Sequence, residues 1–96
     1  MKQALLNEES IVGWLENRAG WKRKGESITK LFTFPSFRDA IVFVNRVATI
    51  ADTVDHHPDI DIRYRTVLLS VTTHDAGGLT DTDFDLAQRV DFANSR

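Results

Sequence analysis

The most regular hydrophobic pattern lies in the middle of the chain, over residues 37–54. Apolar residues recur there at steps of three and four, the spacing of one face of an α-helix: Phe37, Ala40, Ile41, Val44, Val47, Ala48, Ala51 and Val54. Ser36 followed by Asp39 resembles a capping box and predicts where this helix begins. Pro58 disfavours the α conformation for the residue before it, so the helix must end by His56.

A shorter helix and a β-hairpin are predicted before this central helix. Asn7 is a favourable N-cap, and the two glutamates that follow it suit the positive end of a helix. Gly20 is a natural stop after that helix. Residues 21–24 can form a short strand, Gly25-Glu26 a tight turn, and residues 27–34 alternate apolar and polar positions as a half-buried strand does, so residues 21–34 are predicted to form a β-hairpin.

A second pair of strands and a last helix are predicted after the central helix. The alternating apolar residues of these strands are Ile60 or Ile62 with Tyr64, then Val67, Leu69 and Val71. The turn between them falls near Arg65-Thr66. Thr80 and Asp83 form another capping box, and Leu79 and Phe84 lie at the positions of a hydrophobic staple.

The resulting order, α-ββ-α-ββ-α, predicts a single domain over residues 1–96 with an α+β fold. An antiparallel four-stranded sheet with three helices packed on one face, a two-layer arrangement, would bury every amphipathic stripe at once.

Composition narrows the possible functions. The net charge is −2, with acidic and basic residues interspersed, so no basic face for nucleic acid is expected. The absence of cysteine excludes disulfides, zinc–thiolate sites and cysteine nucleophiles. We find neither a signal-peptide core nor a membrane-spanning apolar run, and we expect a cytoplasmic protein without membrane partners.

The candidate chemistry lies after the central helix. All three histidines of the chain, His56, His57 and His74, fall within one supersecondary unit. Histidine is the side chain whose ordinary pKa, about 6.5, suits proton transfer at neutral pH. A helix end, a strand end and a helix start can converge at one edge of an α/β layer, with Asp52 one turn before His56. The sequence therefore predicts a proton-transfer site.

Simpler interpretations of the same residues remain open. A histidine at a helix end is often a structural cap, Asp83 is a capping acid, Asp52 a solvated acid, and Trp21 a core or groove residue. Three histidines could also bind zinc, although no HExxH spacing is present. Neither a GxSxG nucleophile elbow nor a phosphate-binding glycine loop occurs.

The spacing of these residues resembles the signature of the pterin-4a-carbinolamine dehydratases. It reads Asp52, three residues, His56-His57-Pro58, five residues, Tyr64, nine residues, His74, and then Asp83. Gly20-Trp21 and the segments 32–43 and 73–79 are similar to this family as well, so nearly the whole chain is covered. Three positions depart from the family pattern: Asp52, where glutamate is common, Thr82, where arginine is common, and Asp59-Ile60, which replaces an acidic–aromatic pair.

The resemblance implies a reaction and a set of roles. The reaction is loss of water from 4a-hydroxytetrahydropterin to give quinonoid dihydropterin, which recycles the cofactor of aromatic amino acid hydroxylases. The three histidines would be catalytic, with His56 and His74 as acids and His57 orienting the pterin. Substrate-binding roles would fall to four further residues: Asp52, Asp55, Trp21 and Asp83.

The resemblance further implies no metal, no cofactor and assembly as a homodimer or homotetramer, with a functional link to a hydroxylase. Two other functions stay open at this point. One is a protein-binding module of the transcriptional-coactivator kind, and the other is a family member that binds pterin without turning it over.

Overall fold

Helices and antiparallel strand pairs alternate along the chain in the predicted order. The computed structural model describes residues 3–95. The α-helices are α1 (Glu8–Glu16), α2 (Phe37–Val54) and α3 (Asp81–Asn94), and a short 3₁₀ helix spans His74–Ala76. The strands are β1 (Lys22–Lys24), β2 (Ser27–Thr33), β3 (Asp59–Arg63) and β4 (Thr66–Val71).

The four strands form one antiparallel sheet in the order β1-β2-β4-β3, so the second strand of each hairpin is central. Its inner face carries the alternating buried residues of β2 and β4: Ile28, Phe32, Val67, Leu69 and Val71. These pack in one core with residues of the helices: Ile11, Ala40, Phe43, Val47, Leu86, Ala87 and Val90. The outer face is open, with Leu31 60% exposed. The predicted α+β fold is confirmed.

Local capping sets the start of each α-helix. The Asn7 side chain accepts the N–H of Ser10 at 2.8 Å, and Ser36 Oγ accepts the N–H of Asp39 at 3.1 Å. Thr80 is the N-cap of α3, as its capping box predicts. Polar side chains in these positions satisfy backbone donors that have no partner within the helix.

Two predicted boundaries need correction. Helix α1 ends at Glu16, four residues before Gly20, because Asn17 caps it and its side-chain amide donates to Gly13 O at 3.1 Å. Tyr64 lies in the turn between β3 and β4 with φ 53°, and it is 71% exposed. It is therefore not a sheet-packing aromatic.

The end of α2 determines how the chain enters the region of the histidines. Val54 is the last helical residue, and Asp55 adopts a left-handed conformation with φ 55°. The N–H of His56 still donates to Ala51 O at 3.0 Å, so a backbone hydrogen bond ties His56 to the last turn of α2. Residues 56–58 then have no regular secondary structure, and β3 begins at Asp59.

None of the helices that the structure describes is long and apolar enough to cross a membrane.

Candidate active site

All three imidazoles line one cleft, which we call the histidine cleft. Its volume is about 740 Å³, and its lining residues are Gln3, Asp55, His56, His57, Thr72, Thr73, His74 and Asp75. They come from the end of α2, the segment that follows β4, and the N-terminal segment before α1. The topology therefore brings two chain junctions, separated in sequence by β3 and β4, to the same hollow.

The most enclosed contact at this site joins His56 to Asp83. His56 Nε2 lies 2.6 Å from Asp83 Oδ1, with the two side chains 13% and 0% exposed. The second oxygen, Oδ2, accepts the hydroxyl of Thr73 at 2.8 Å and the N–H of Thr80 at 2.9 Å. A buried charge is tolerated only when its hydrogen bonds are satisfied, as they are here.

The same contacts assign the tautomer of His56. Oδ2 of Asp83 accepts two hydrogen bonds, and an ionised carboxylate has no hydrogen to donate, so we assign the hydrogen between Asp83 and His56 to Nε2. Nδ1 is then the ring nitrogen without a hydrogen, and it is available as an acceptor. A carboxylate that orients an imidazole in this way prepares it for proton transfer.

His57 has a different carboxylate partner. Its Nε2 lies 2.9 Å from Asp52 Oδ1, and the side chains are 58% and 79% exposed. Asp52 thus pairs with His57, although helical spacing had placed it beside His56. The difference arises because α2 ends at Val54, and the left-handed Asp55 rotates the next residue away from the Asp52 face. Exposed pairs of this kind contribute little to stability.

His74 is exposed, as His57 is. It begins the 3₁₀ turn that follows β4, and this turn is closed by the Thr73–Gly78 bridge and by the left-handed Gly77. Within residues 3–95, no side-chain hydrogen bond or ion pair holds its imidazole. It is therefore free to reorient and to exchange protons with water.

Three of the four expected substrate-binding residues are not among those that line the cleft: Asp52, Trp21 and Asp83. Asp83 is fully buried, and its carboxylate contacts the His56 imidazole. Asp55, in contrast, lines the cleft directly.

Trp21 is not among the residues of the histidine cleft. It is 4% exposed in the core, and its indole N–H donates to Asp91 Oδ2 at 2.8 Å. Asp91 lies eight residues beyond Asp83 on α3, about 12 Å along a helix axis. The expectation that Trp21 lines the cleft does not match this placement, because pairing the buried indole N–H with Asp91 turns the ring towards the far end of α3.

Several cleft residues were not expected from the sequence. Thr73 continues the inward alternation of Val67, Leu69 and Val71, which signals a buried hydroxyl at the end of β4. Thr72 and Asp75 flank that turn, and nothing local distinguishes them. Gln3 reaches the cleft through a tertiary contact that its sequence position does not indicate.

Among the described residues, no group of three or more histidine and acidic side chains is arranged to hold a metal ion.

Fold and site together define a class: a helix-decorated antiparallel sheet whose cleft carries imidazoles and carboxylates suited to acid–base chemistry. Residues 4–93 match the sequence model of the family described as pterin 4 alpha carbinolamine dehydratase. The chain belongs to this family. The dehydratase role is thereby supported in general terms.

Individual relatives agree with this assignment. A protein of Roseiflexus castenholzii, provisionally named a pterin-4-alpha-carbinolamine dehydratase, is 56% identical over 92% of this chain and 95% of its own. A protein of Sulfurisphaera tokodaii with the same provisional name is 46% identical over 90% of this chain and 92% of its own.

Solved structures share the fold. A Brucella melitensis protein described as a transcriptional coactivator/pterin dehydratase superposes with a TM-score of 0.87 at 30% identity, covering 91% of this chain and 95% of that one. A pterin dehydratase-like protein identified as a RuBisCO assembly factor gives a TM-score of 0.65 at 22% identity, covering 77% of this chain and 88% of that one. This second likeness concerns the fold alone.

Proposed function

We propose that this protein removes water from 4a-hydroxytetrahydropterin by histidine general acid–base catalysis, giving quinonoid dihydropterin. The observation that carries the proposal is the convergence of His56, His57 and His74 on one cleft, with His56 held by the buried Asp83. Family membership supplies the substrate class, and the cleft supplies groups able to move protons near neutral pH.

The reaction requires two proton transfers. The hydroxyl on carbon 4a leaves as water, so an acid must protonate it while the lone pair of the adjacent nitrogen expels it. That nitrogen then bears a positive charge, and a base removes its proton. One proton is given and one is taken, so the protein returns to its starting charge after the two imidazoles re-equilibrate with solvent.

His56 is assigned as the base, in place of the acid role that the family resemblance implied. Its Nδ1 is unprotonated in the tautomer that Asp83 selects, so Nδ1 can accept the proton from the substrate nitrogen. The imidazolium that forms lies beside a carboxylate with both oxygens already hydrogen bonded, and this arrangement offsets the new charge.

His74 is assigned as the acid towards the leaving hydroxyl. It lines the cleft from the end of β4, whereas His56 comes from the end of α2. Its exposure lets it recover a proton from water after each turnover. Proton transfer by a positioned side chain is worth about 10²- to 10⁴-fold in rate.

His57 and Asp55 are assigned to substrate orientation. His57 is exposed at the rim and held by Asp52, and Asp55 presents a carboxylate to the same cleft. An acidic side chain there can accept hydrogen bonds from the amino and ring N–H groups of a pterin. We further propose that the product returns to an aromatic amino acid hydroxylase after reduction and that the protein works as a homodimer or homotetramer.

The direct test follows the decay of 4a-hydroxytetrahydropterin with and without the purified protein. We expect the protein to accelerate the decay, and saturation with substrate should be visible. Binding of 7,8-dihydropterin without any acceleration would replace this function with that of a pterin-binding protein. Absence of both binding and turnover, together with specific capture of a protein partner, would favour a protein-binding module of the coactivator kind.

A further inference from the structure

The N-terminal segment before α1 forms part of the histidine cleft. The N–H of Leu6 donates to Leu79 O at 2.9 Å, which anchors this segment along the loop that leads into α3. Gly78 permits the close approach, since a Cβ there would lie 3.1 Å from Leu5 Cδ2. Gln3 is thereby placed in the lining of the cleft, next to the hydroxyls of Thr80 and Thr82.

The hydrogen bonds around Thr80 determine which way the Gln3 amide is turned. The single hydroxyl hydrogen of Thr73 is donated to Asp83 Oδ2, an oxygen that accepts at 2.8 Å. Thr73 Oγ1 also lies 2.8 Å from Thr80 Oγ1, so the hydrogen in that contact must come from Thr80.

Thr80 has no second hydroxyl hydrogen to offer. The structure places Gln3 Oε1 3.1 Å from Thr80 Oγ1, where two acceptors would face each other without a hydrogen. Turning the amide by 180° puts Nε2 in that position and lets it donate to Thr80 Oγ1. The amide oxygen and nitrogen of glutamine are distinguished only by such a network, and this network selects the orientation with Nε2 towards the hydroxyls. Thr82 Oγ1 contacts the same amide atom, so after this turn it accepts the second Nε2 hydrogen.

We propose that Gln3 contributes its side-chain oxygen, Oε1, to the histidine cleft as a hydrogen-bond acceptor for an amino or ring N–H of the bound pterin. This rests on the proposed function and adds a specificity-determining residue to it. Both amide hydrogens are committed to Thr80 and Thr82, so Gln3 selects a ligand that donates at this position and disfavours one that accepts. Through Thr80 and Thr73, the same amide is linked to Asp83 and His56.

The experiment compares Gln3→Leu with the wild type in two measurements: KM for 4a-hydroxytetrahydropterin, and Kd for 7,8-dihydropterin from quenching of protein fluorescence. Loss of one neutral hydrogen bond should raise KM and Kd about threefold to tenfold, with kcat within about twofold of wild type. Gln88→Leu is the matched control, because Gln88 is an exposed glutamine on α3 outside this cleft, and it should change neither constant. Thr82→Val, which removes one hydroxyl that orients the amide, should raise both constants by a smaller factor.

The outcomes separate this inference from the function on which it rests. A wild-type protein that dehydrates the substrate, with a Gln3→Leu variant of unchanged KM and Kd, would overturn the role of Gln3 alone. A wild-type protein that binds dihydropterin without turnover, with binding weakened in Gln3→Leu, would support Gln3 and overturn the dehydration. A wild-type protein that neither binds nor turns over a pterin would overturn both.

Discussion

His56 Nε2 and Asp83 Oδ1 lie 2.6 Å apart although 27 residues separate them in the chain. The contact joins the end of α2 to the first turn of α3, and the same carboxylate accepts the N–H of Thr80 as part of the α3 capping box. One buried group therefore helps to begin a helix and orients an imidazole in the histidine cleft. Capping and the proposed catalysis are coupled through this carboxylate.

Asp83→Asn should reduce kcat by about 10²- to 10⁴-fold while the fold is retained. The asparagine oxygen must face Thr73 and Thr80 to keep their hydrogen bonds, so the amide NH₂ faces His56 Nε2. Nε2 then has to accept a hydrogen bond, and the ring hydrogen moves to Nδ1, where it blocks the proposed base. The measurement is steady-state turnover together with far-UV circular dichroism.

Asp85→Asn is the control for that variant, because Asp85 lies on the same helix and pairs with Arg89 on the surface. It should leave kcat unchanged, since exposed ion pairs of this kind contribute little. Equal losses in the Asp83 and Asp85 variants would contradict the orienting role of Asp83.

His56→Gln and His74→Gln should each lower kcat by about 10²- to 10⁴-fold, because each removes one of the two proposed proton transfers. His57→Gln should instead raise KM more than it lowers kcat, since His57 is exposed at the rim and pairs with the exposed Asp52. Steady-state kinetics on the three single variants checks this division. A His57 variant with the largest loss of kcat would reverse the assignment.

Thr73→Val should lower the free energy of unfolding by about 1–3 kcal/mol. The valine keeps the shape of the side chain and removes the hydroxyl that donates to Asp83 Oδ2, leaving a buried carboxylate oxygen with one partner fewer. Urea denaturation gives the value. Thr29→Val on the outer face of β2 is the comparison, expected within about 0.5 kcal/mol of wild type.

Trp21→Phe should destabilise the protein by about 1.5–3 kcal/mol without altering kcat/KM by more than about twofold. The indole N–H donates to Asp91, which is also paired with Lys30 Nζ at 2.8 Å, and neither contact belongs to the histidine cleft. Thermal unfolding and turnover are measured on the same sample. A marked rise in KM at unchanged stability would instead indicate that Trp21 contacts the substrate.

The elements of this fold were largely predictable because their signals are local. Apolar steps of three and four residues mark α2, and single polar residues mark the starts of the α-helices. The end of α2 near His56 also followed from Pro58, which acts on the residue next to it. The turn between β3 and β4 was predicted at Arg65-Thr66 and lies one residue earlier, at Tyr64 and Arg65. A tyrosine in the left-handed conformation has no local signal in its favour.

The contacts within the site were much less predictable. Helical spacing predicts that Asp52 contacts His56. However, Asp55 is left-handed and the helix ends before His56, so Asp52 contacts His57 instead. Trp21 and Asp91 are 70 residues apart, and Gln3 and Thr80 are 77 apart. Their pairing depends on how helices and sheet pack against each other, and a residue pattern within one element carries no information about it.

The sequence by itself determined which segments become helices and strands and which residue types are available for proton transfer, because both follow from neighbouring side chains. Only the tertiary structure decided that Asp83 orients His56, that Asp52 pairs with His57, and that Gln3 enters the cleft. A carboxylate can accept from any donor within reach, and packing α2 and α3 over the sheet determines which donor that is.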